Sequence, residues 1–256
     1  MSRELGFRAR TVVKRRLARL GIDVKRVGSF AQTGGIGVMG TFLADLHTRG
    51  LRPNVVLDVG ANRGDWTRLA RSVFPDARFV LIEPQREMTG YLDAVCAPGS
   101  NCRWFEVGAG SSSGELTLTI WDDLVGSSFL TPAHDAAAGE RPTRVVPIVT
   151  IDELLAREGY AAPELVKLDI QGFELEALRG AKGVFDVAEM FVMEVSLFEF
   201  LPDTPLLAEI VAFMDERDFV VYDVAGFAKR ELDGALGQLD LCFARRDGLL
   251  RKSSKW

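Results

Sequence analysis

The sequence offers few nitrogen or sulfur ligands for a metal: two histidines, His47 and His134, and three cysteines, Cys96, Cys102 and Cys242, with no CxxC pair. So few cysteines exclude a disulfide-built scaffold and lead to the expectation of buried free thiols. No apolar run approaches the ~20 residues that cross a bilayer. The N-terminus is basic but lacks the continuous apolar stretch of a secretory signal, so a cytoplasmic location is expected. A Tyr-x-x-x-Lys pair, which an NAD-dependent oxidoreductase would be expected to carry, is also missing.

What is present is an ordinary globular composition, 47% hydrophobic and 26% charged over 256 residues, enough for one α/β domain. Charge is uneven. Residues 1–26 carry nine basic side chains against Glu4 and Asp23, a net of +7, which leaves −12 on the remainder of a chain whose total is −5. An acidic body argues against a nucleic-acid partner. The basic arm reads by default as a solvated helix. The alternative is a surface that lies on an anionic membrane or grips a phosphorylated, lipid-linked glycan.

From Asn54 onward, strands alternate with helices. Short apolar runs at 55–57, 78–82, 103–107, 165–170 and 190–195 read as buried parallel strands, and helical spacing recurs between them. The segment 115–121 alternates as a half-exposed strand, 122–143 reads as a long loop, and strands at 219–222 and 239–244 close the sheet. The fold class is therefore α/β, a Rossmann-like doubly wound sheet, mostly parallel, seven-stranded, with an antiparallel strand near the end. The division expected is a helical extension over 1–50, a catalytic domain over 51–248 and a tail over 249–256.

The strongest local signal is Val56-Leu57-Asp58-Val59-Gly60-Ala61-Asn62-Arg63-Gly64, a strand running through a glycine turn into a helix. Gly60 permits the tight turn, and Gly64 permits close approach of a ligand or of the helix start. Nineteen residues after Gly64, Glu83 ends the second strand, where a carboxylate can accept both hydroxyls of a ribose. Dinucleotide turns use GxGxxG to cradle a pyrophosphate. This turn instead reads Asp-x-Gly-x-x-x-Gly, and an acid inside it suits the ammonium of an amino-acid cofactor, held directly or through water. Asp58, Gly60, Asn62, Gly64 and Glu83 are thus cofactor candidates. The competing role for the turn is simply to start a helix.

Beyond these residues, the chain resembles the FkbM family of S-adenosylmethionine-dependent methyltransferases. The resemblance rests on VLDVGANRG (56–64), VGAG (107–110), VPIVTIDELL (146–155), KLDIQGFELEALRGA (167–181), VMEVS (192–196) and QLDLCF (238–243). Many relatives have Glu where Gln171 stands. The resemblance implies S-adenosylmethionine as cofactor, Gly108 and Ala109 beside the adenine, and O-methylation of a hydroxyl on a sugar, glycolipid or glycosylated metabolite. Ser127 and Ser128 match a serine-rich element near the cofactor. Asp169 and Glu194 end neighbouring strands, at the edge where ligands collect in open α/β sheets. Each is a candidate base or orienting group, against the alternatives of capping a helix or anchoring a loop. Glu174 and Glu176 read as solvated helix positions, and His134 as a solvated histidine. A divalent cation on Asp169 with Asp152 or Glu194 is conceivable, but no spacing demands it. The readings that compete with an enzyme of this class are a non-catalytic nucleoside-binding module and an NAD-dependent oxidoreductase.

Overall fold

The computed structural model describes residues 36–130 and 141–253. The basic arm of residues 1–26 and His134 lie outside them. The chain runs α1 (Met39–Thr48), β1 (Val55–Val59), α2 (Asp65–Val73), β2 (Arg78–Ile82), α3 (Thr89–Val95), β3 (Cys102–Phe105), β4 (Gly108–Ala109) and β5 (Gly114–Thr119). It continues with β6 (Thr143–Val149), α4 (Ile151–Arg157), β7 (Leu165–Leu168), α5 (Glu174–Arg179) and α6 (Lys182–Phe185). The last elements are β8 (Met190–Ser196), α7 (Leu207–Asp215), β9 (Phe219–Lys229) and β10 (Leu236–Arg245).

The main sheet has seven strands in the order β3-β2-β1-β7-β8-β10-β9. All neighbours are parallel except β10, which runs antiparallel to both β8 and β9. Chain order reverses between β1 and β7, and at such a switch point the two crossovers leave on opposite faces and open a crevice at the strand ends. Both faces are covered, so the central strands read as unbroken apolar runs instead of alternating ones. Val55, Leu57 and Val59 join one core with α4, α5, α6 and α7. Val56 joins the other, which includes Phe42, Leu43 and Leu46 of α1. That first helix, assigned from sequence to the extension, is thus packed against the sheet.

Three expectations differ from what is found. Residues 108–149 do not join the main sheet. Gly108–Ala109, β6 and β5 form a separate three-stranded sheet in the order β4-β6-β5, with its own small core of Leu118, Val146 and Ile148. The helix expected between the 165–170 and 190–195 strands breaks at Gly180. There a Cβ would drive into the carbonyl oxygen of Gly110, so the backbone passes too closely for any side chain. Finally, Cys96 and Cys102 are joined as a disulfide and only Cys242 is a buried free thiol. The chain reverses between α3 and β3 and brings the two Cα atoms to 4.7 Å, a proximity that their spacing did not reveal. Among the described residues no helix is long and apolar enough to cross a membrane.

Candidate functional site

The turn after β1 is fixed by close backbone approach. Gly60 has φ +79°, and a Cβ there would run into the carbonyl oxygen of Asp169, so the ends of β1 and β7 can lie together only because residue 60 is glycine. Gly60 and Ala61 both donate their N–H to the carbonyl of Ile82, at 2.9 and 3.2 Å, which ties the turn to the end of β2. Gly64 (φ +76°) begins α2, but a Cβ on it would meet Val95 Cγ2 at 2.8 Å. Its smallness therefore serves the packing of α2 on α3 and not the approach of a ligand.

A cleft of about 270 Å³ opens at this turn. Gly60, Asn62, Glu83, Gly108, Ala109 and Asp169 line it; Asp58, Gly64 and Glu194 do not. Glu83 is 2% exposed. One of its carboxylate oxygens accepts the Asn62 N–H at 2.7 Å and the other the Gln85 N–H at 2.9 Å. Burial raises its pKa against the pull of those amides. Each oxygen keeps a lone pair for a hydroxyl of a ligand in the cleft. Gly108 closes the other side, where a Cβ would meet the Phe129 and Ile148 side chains at 2.6 Å. Ile82, Ala109, Leu118 and Phe129 make the wall apolar there.

The loop expected from 122 onward covers this edge, and what the sequence did not show is how it is held there. Gln85 and Asn62 both donate side-chain amides to the Leu124 carbonyl, at 2.9 and 3.3 Å, and Ser127 Oγ donates to Gln85 Oε1 at 2.9 Å. Ser127 also accepts the Trp121 N–H, while Ser128 Oγ donates to the carbonyl of Gln171 at 2.8 Å. The two serines thus pin the 121–128 segment to both sides of the cleft. No periodic pattern announces such a role. The only hint lies in the serine-rich element itself.

Asp58 sits beneath the turn and is fully buried. It pairs across strands with Lys167, whose Nζ is 3.8 Å from its Oδ1, and Thr67 Oγ1 of α2 donates to its Oδ2 at 2.6 Å. Burial raises its pKa, and Lys167 and Thr67 offset part of that. Of the two ways in which Asp58 was expected to hold an ammonium, directly or through water, the direct one is not available on the cleft wall. Burial opposes the charge of Lys167, but Asp169 and Asp58 outweigh it and hold its pKa above the usual lysine value.

Asp169 does reach the cleft, with 31% of its side chain exposed. Lys167 Nζ lies 3.0 Å from its Oδ2, and Gln171 Nε2 donates to its Oδ1 at 3.1 Å. Burial alone would raise its pKa; Lys167 reverses the direction and keeps the carboxyl ionised. It does not cap the following helix. That helix has no side-chain cap, and its first residue, Glu174, instead ties down the preceding turn by accepting the N–H groups of Ile170 at 3.0 Å and Gly172 at 3.3 Å. It is buried, not solvated as expected, and burial pushes its pKa up to about 7.

Glu194 stands one strand further on, holding Gln171 (2.6 Å) and Gln238 (2.9 Å) through Oε2. Asp240 is its direct cross-strand partner on β10. Burial, then Asp169, Glu174 and Asp240, push its pKa up to about 9, which favours its protonated form. Asp152 points elsewhere, accepting the Gly183 N–H at 2.9 Å, and does not join Asp169. Among the described residues no group of three or more His, Cys, Asp and Glu side chains is arranged to hold a metal ion.

The donor set fits an adenosyl cofactor that carries positive charge. Glycine leaves backbone room on both sides of the cleft, Glu83 offers acceptors for a ribose, the 108–109 wall is apolar, and Asp169 supplies a negative charge.

The family model described as Methyltransferase FkbM domain matches residues 58–221. The methyltransferase sdnD of Sordaria araneosa is 27% identical over 153 residues, covering 49% of this chain and 59% of that protein. The solved structure of methyltransferase FkbM from Methylobacillus flagellatus superposes with a TM-score of 0.49 and 19% identity, over 79% of this chain and 47% of that one. The 1,6-didemethyltoxoflavin-N1-methyltransferase of Burkholderia thailandensis, solved with its substrate and S-adenosylhomocysteine, gives 0.44 and 14%, over 80% and 76%. The chain thus spans about half the length of the first two relatives.

Proposed function

This chain belongs to the FkbM methyltransferase family, and from that premise we propose that it transfers a methyl group from S-adenosylmethionine to a hydroxyl oxygen of a sugar, glycolipid or glycosylated metabolite. The observation that carries the proposal is the presence of Glu83 and Asp169 on one cleft, the first set to hold a ribose and the second ionised and partly exposed. S-adenosylmethionine supplies an activated methyl carbon. Everything else is alignment and proton handling by the chain.

Glu83 fixes the ribose, and the Gly60 turn lets it approach. Asp169 accepts the hydrogen bond of the acceptor hydroxyl and orients its oxygen. A low pKa does not disqualify it. As the oxygen gives up electron density its proton becomes strongly acidic, so a weak base in place suffices to receive it. Lys167 holds Asp169 ionised, and Gln171 holds its second oxygen.

Isothermal titration of the full chain with S-adenosylmethionine, S-adenosylhomocysteine and NAD tests the cofactor. Micromolar binding of the first two and none of NAD is expected. Failure of all three to bind a well-folded protein would favour a non-catalytic module, and NAD binding alone an oxidoreductase.

A further inference from the structure

A second cavity, of about 540 Å³, opens on the far side of Gln171, between the 121–126 segment, the residues after β8 and the β9–β10 hairpin. Gln171 lines both cavities. Its backbone is in the left-handed region (φ +53°), a conformation that costs a non-glycine residue about 1 kcal/mol or more and persists only where surroundings enforce it. Here the enforcement is visible: Ser128 donates to its carbonyl, and its side-chain amide donates to Asp169 and Glu194. These bonds hold the partition between the cavities in place, and of the two carboxyl groups that its amide bonds, Asp169 is the one that lines the cofactor cleft.

The walls of this cavity are unlike the cofactor cleft. Phe198 is 40% exposed and Phe200 44%, both after β8, and Leu232 of the β9–β10 hairpin is exposed on the same cavity. Exposed phenylalanines in a concavity are costly unless a ligand covers them. Trp121 forms part of the opposite wall, and its indole N–H is buried with no partner among the described residues. The cations are partly committed. Arg230 lies 4.0 Å over the Phe198 ring and 3.5 Å from Asp233. Among the described residues that line the rim, the acids Asp123, Glu199 and Glu231 outnumber the bases Lys229 and Arg230, and Arg141 stacks on the Trp121 ring beside them.

We propose that this cavity is the acceptor pocket and that it takes an uncharged ring compound with a hydroxyl on one edge and an apolar face. The apolar face lies on Phe198 and Phe200, and the hydroxyl edge turns past Gln171 towards Asp169. Phosphorylated acceptors are disfavoured by the acidic rim and by Asp169 itself. The assignment rests on the methyltransferase reading for its function, but it is tested by binding alone.

The probes are 4-nitrophenyl β-D-glucopyranoside and its 6-phosphate, followed by saturation-transfer NMR on the full chain loaded with S-adenosylhomocysteine. The neutral glucoside is expected to bind, with the phosphate at least tenfold weaker. Phe198→Ala, Phe200→Ala and Leu232→Asp, all at exposed positions, should each weaken the glucoside at least fivefold while the affinity for S-adenosylhomocysteine stays within twofold. No saturation transfer to the glucoside, no effect of any of the three variants, or equal binding of the phosphate would overturn the pocket assignment. Should S-adenosylhomocysteine itself fail to bind, the cofactor reading falls, and the same glucoside measurements on the unloaded full chain and its variants still decide the pocket.

Discussion

The two sides of the sheet hold their ligand walls by different means. On the β1–β2 side the backbone does it: Gly60 sits where a Cβ has no room, and both oxygens of Glu83 take main-chain amides. On the β7–β8–β10 side the work falls to side chains: Lys167, Asp169, Gln171, Glu194 and Gln238 hold one another. A wall built on backbone tolerates little change at few positions. A wall built from mutually bonded side chains responds to changes in charge, and its parts are coupled.

If the comparison is sound, the two sides break separately. The largest effect is expected from Asp169→Asn, with turnover falling about 10²–10⁴-fold while the affinity for S-adenosylhomocysteine changes less than threefold. The check is S-adenosylhomocysteine release with the nitrophenyl glucoside as acceptor, alongside titration of the cofactor product. Equal loss of both would mean that Asp169 belongs to the cofactor side. Next comes Gly60→Ala, where positive φ alone costs about 1–3 kcal/mol before the collision with the Asp169 carbonyl. Affinity for S-adenosylhomocysteine should fall roughly ten- to hundredfold, with a lowered Tm; an unchanged Tm would refute the close approach. Glu83→Gln should weaken the same ligand roughly tenfold, since one acceptor of a backbone amide and of the ribose is replaced. Its Kd for the glucoside should not move.

The same division explains what could be read in the sequence. Backbone devices leave marks: a parallel strand buried on both faces must be an apolar run, and a turn with no room for Cβ must be glycine. β1, β2, β7, β8 and the Gly60 turn were therefore legible, as was Glu83 at a strand end. The fate of Asp58 was not, because its partners are set by register. Lys167 faces it from β7 and Thr67 from α2, and these turn it beneath the site. The Leu124 and Ser127 contacts depend on how a loop without periodicity folds back. The disulfide depends on the chain reversal between α3 and β3, and the separate small sheet on a β4 of two residues, too short to leave a pattern. Glu174 looked solvated because an acid in a helical first turn usually is. Burial against the Ile170 and Gly172 amides is a tertiary fact.

The smallest effect, and the one that probes coupling on the side-chain wall, is in pH. Glu194 faces Asp240 directly across β8 and β10, and burial first, then the charges of Asp169, Glu174 and Asp240, push its pKa up to about 9. A carboxyl with a folded-state pKa raised above its ordinary 4.5 contributes stability fully below that ordinary value. The contribution is lost as pH rises, and it is gone above about 9. Wild-type Tm should therefore decline between pH 5 and 9. Glu194→Gln cannot ionise, yet keeps an oxygen to accept from Gln171 and Gln238, so its Tm should decline less over the same range. Each kcal/mol of difference appears as about 2–4 °C in a chain of this size. Glu174, with its pKa at about 7, still contributes to the slope of both proteins. Parallel curves for wild type and variant would show Glu194 ionising as an ordinary surface carboxyl. That would require water between it and Asp240, and the side-chain wall would then be a set of independent groups and not a coupled one.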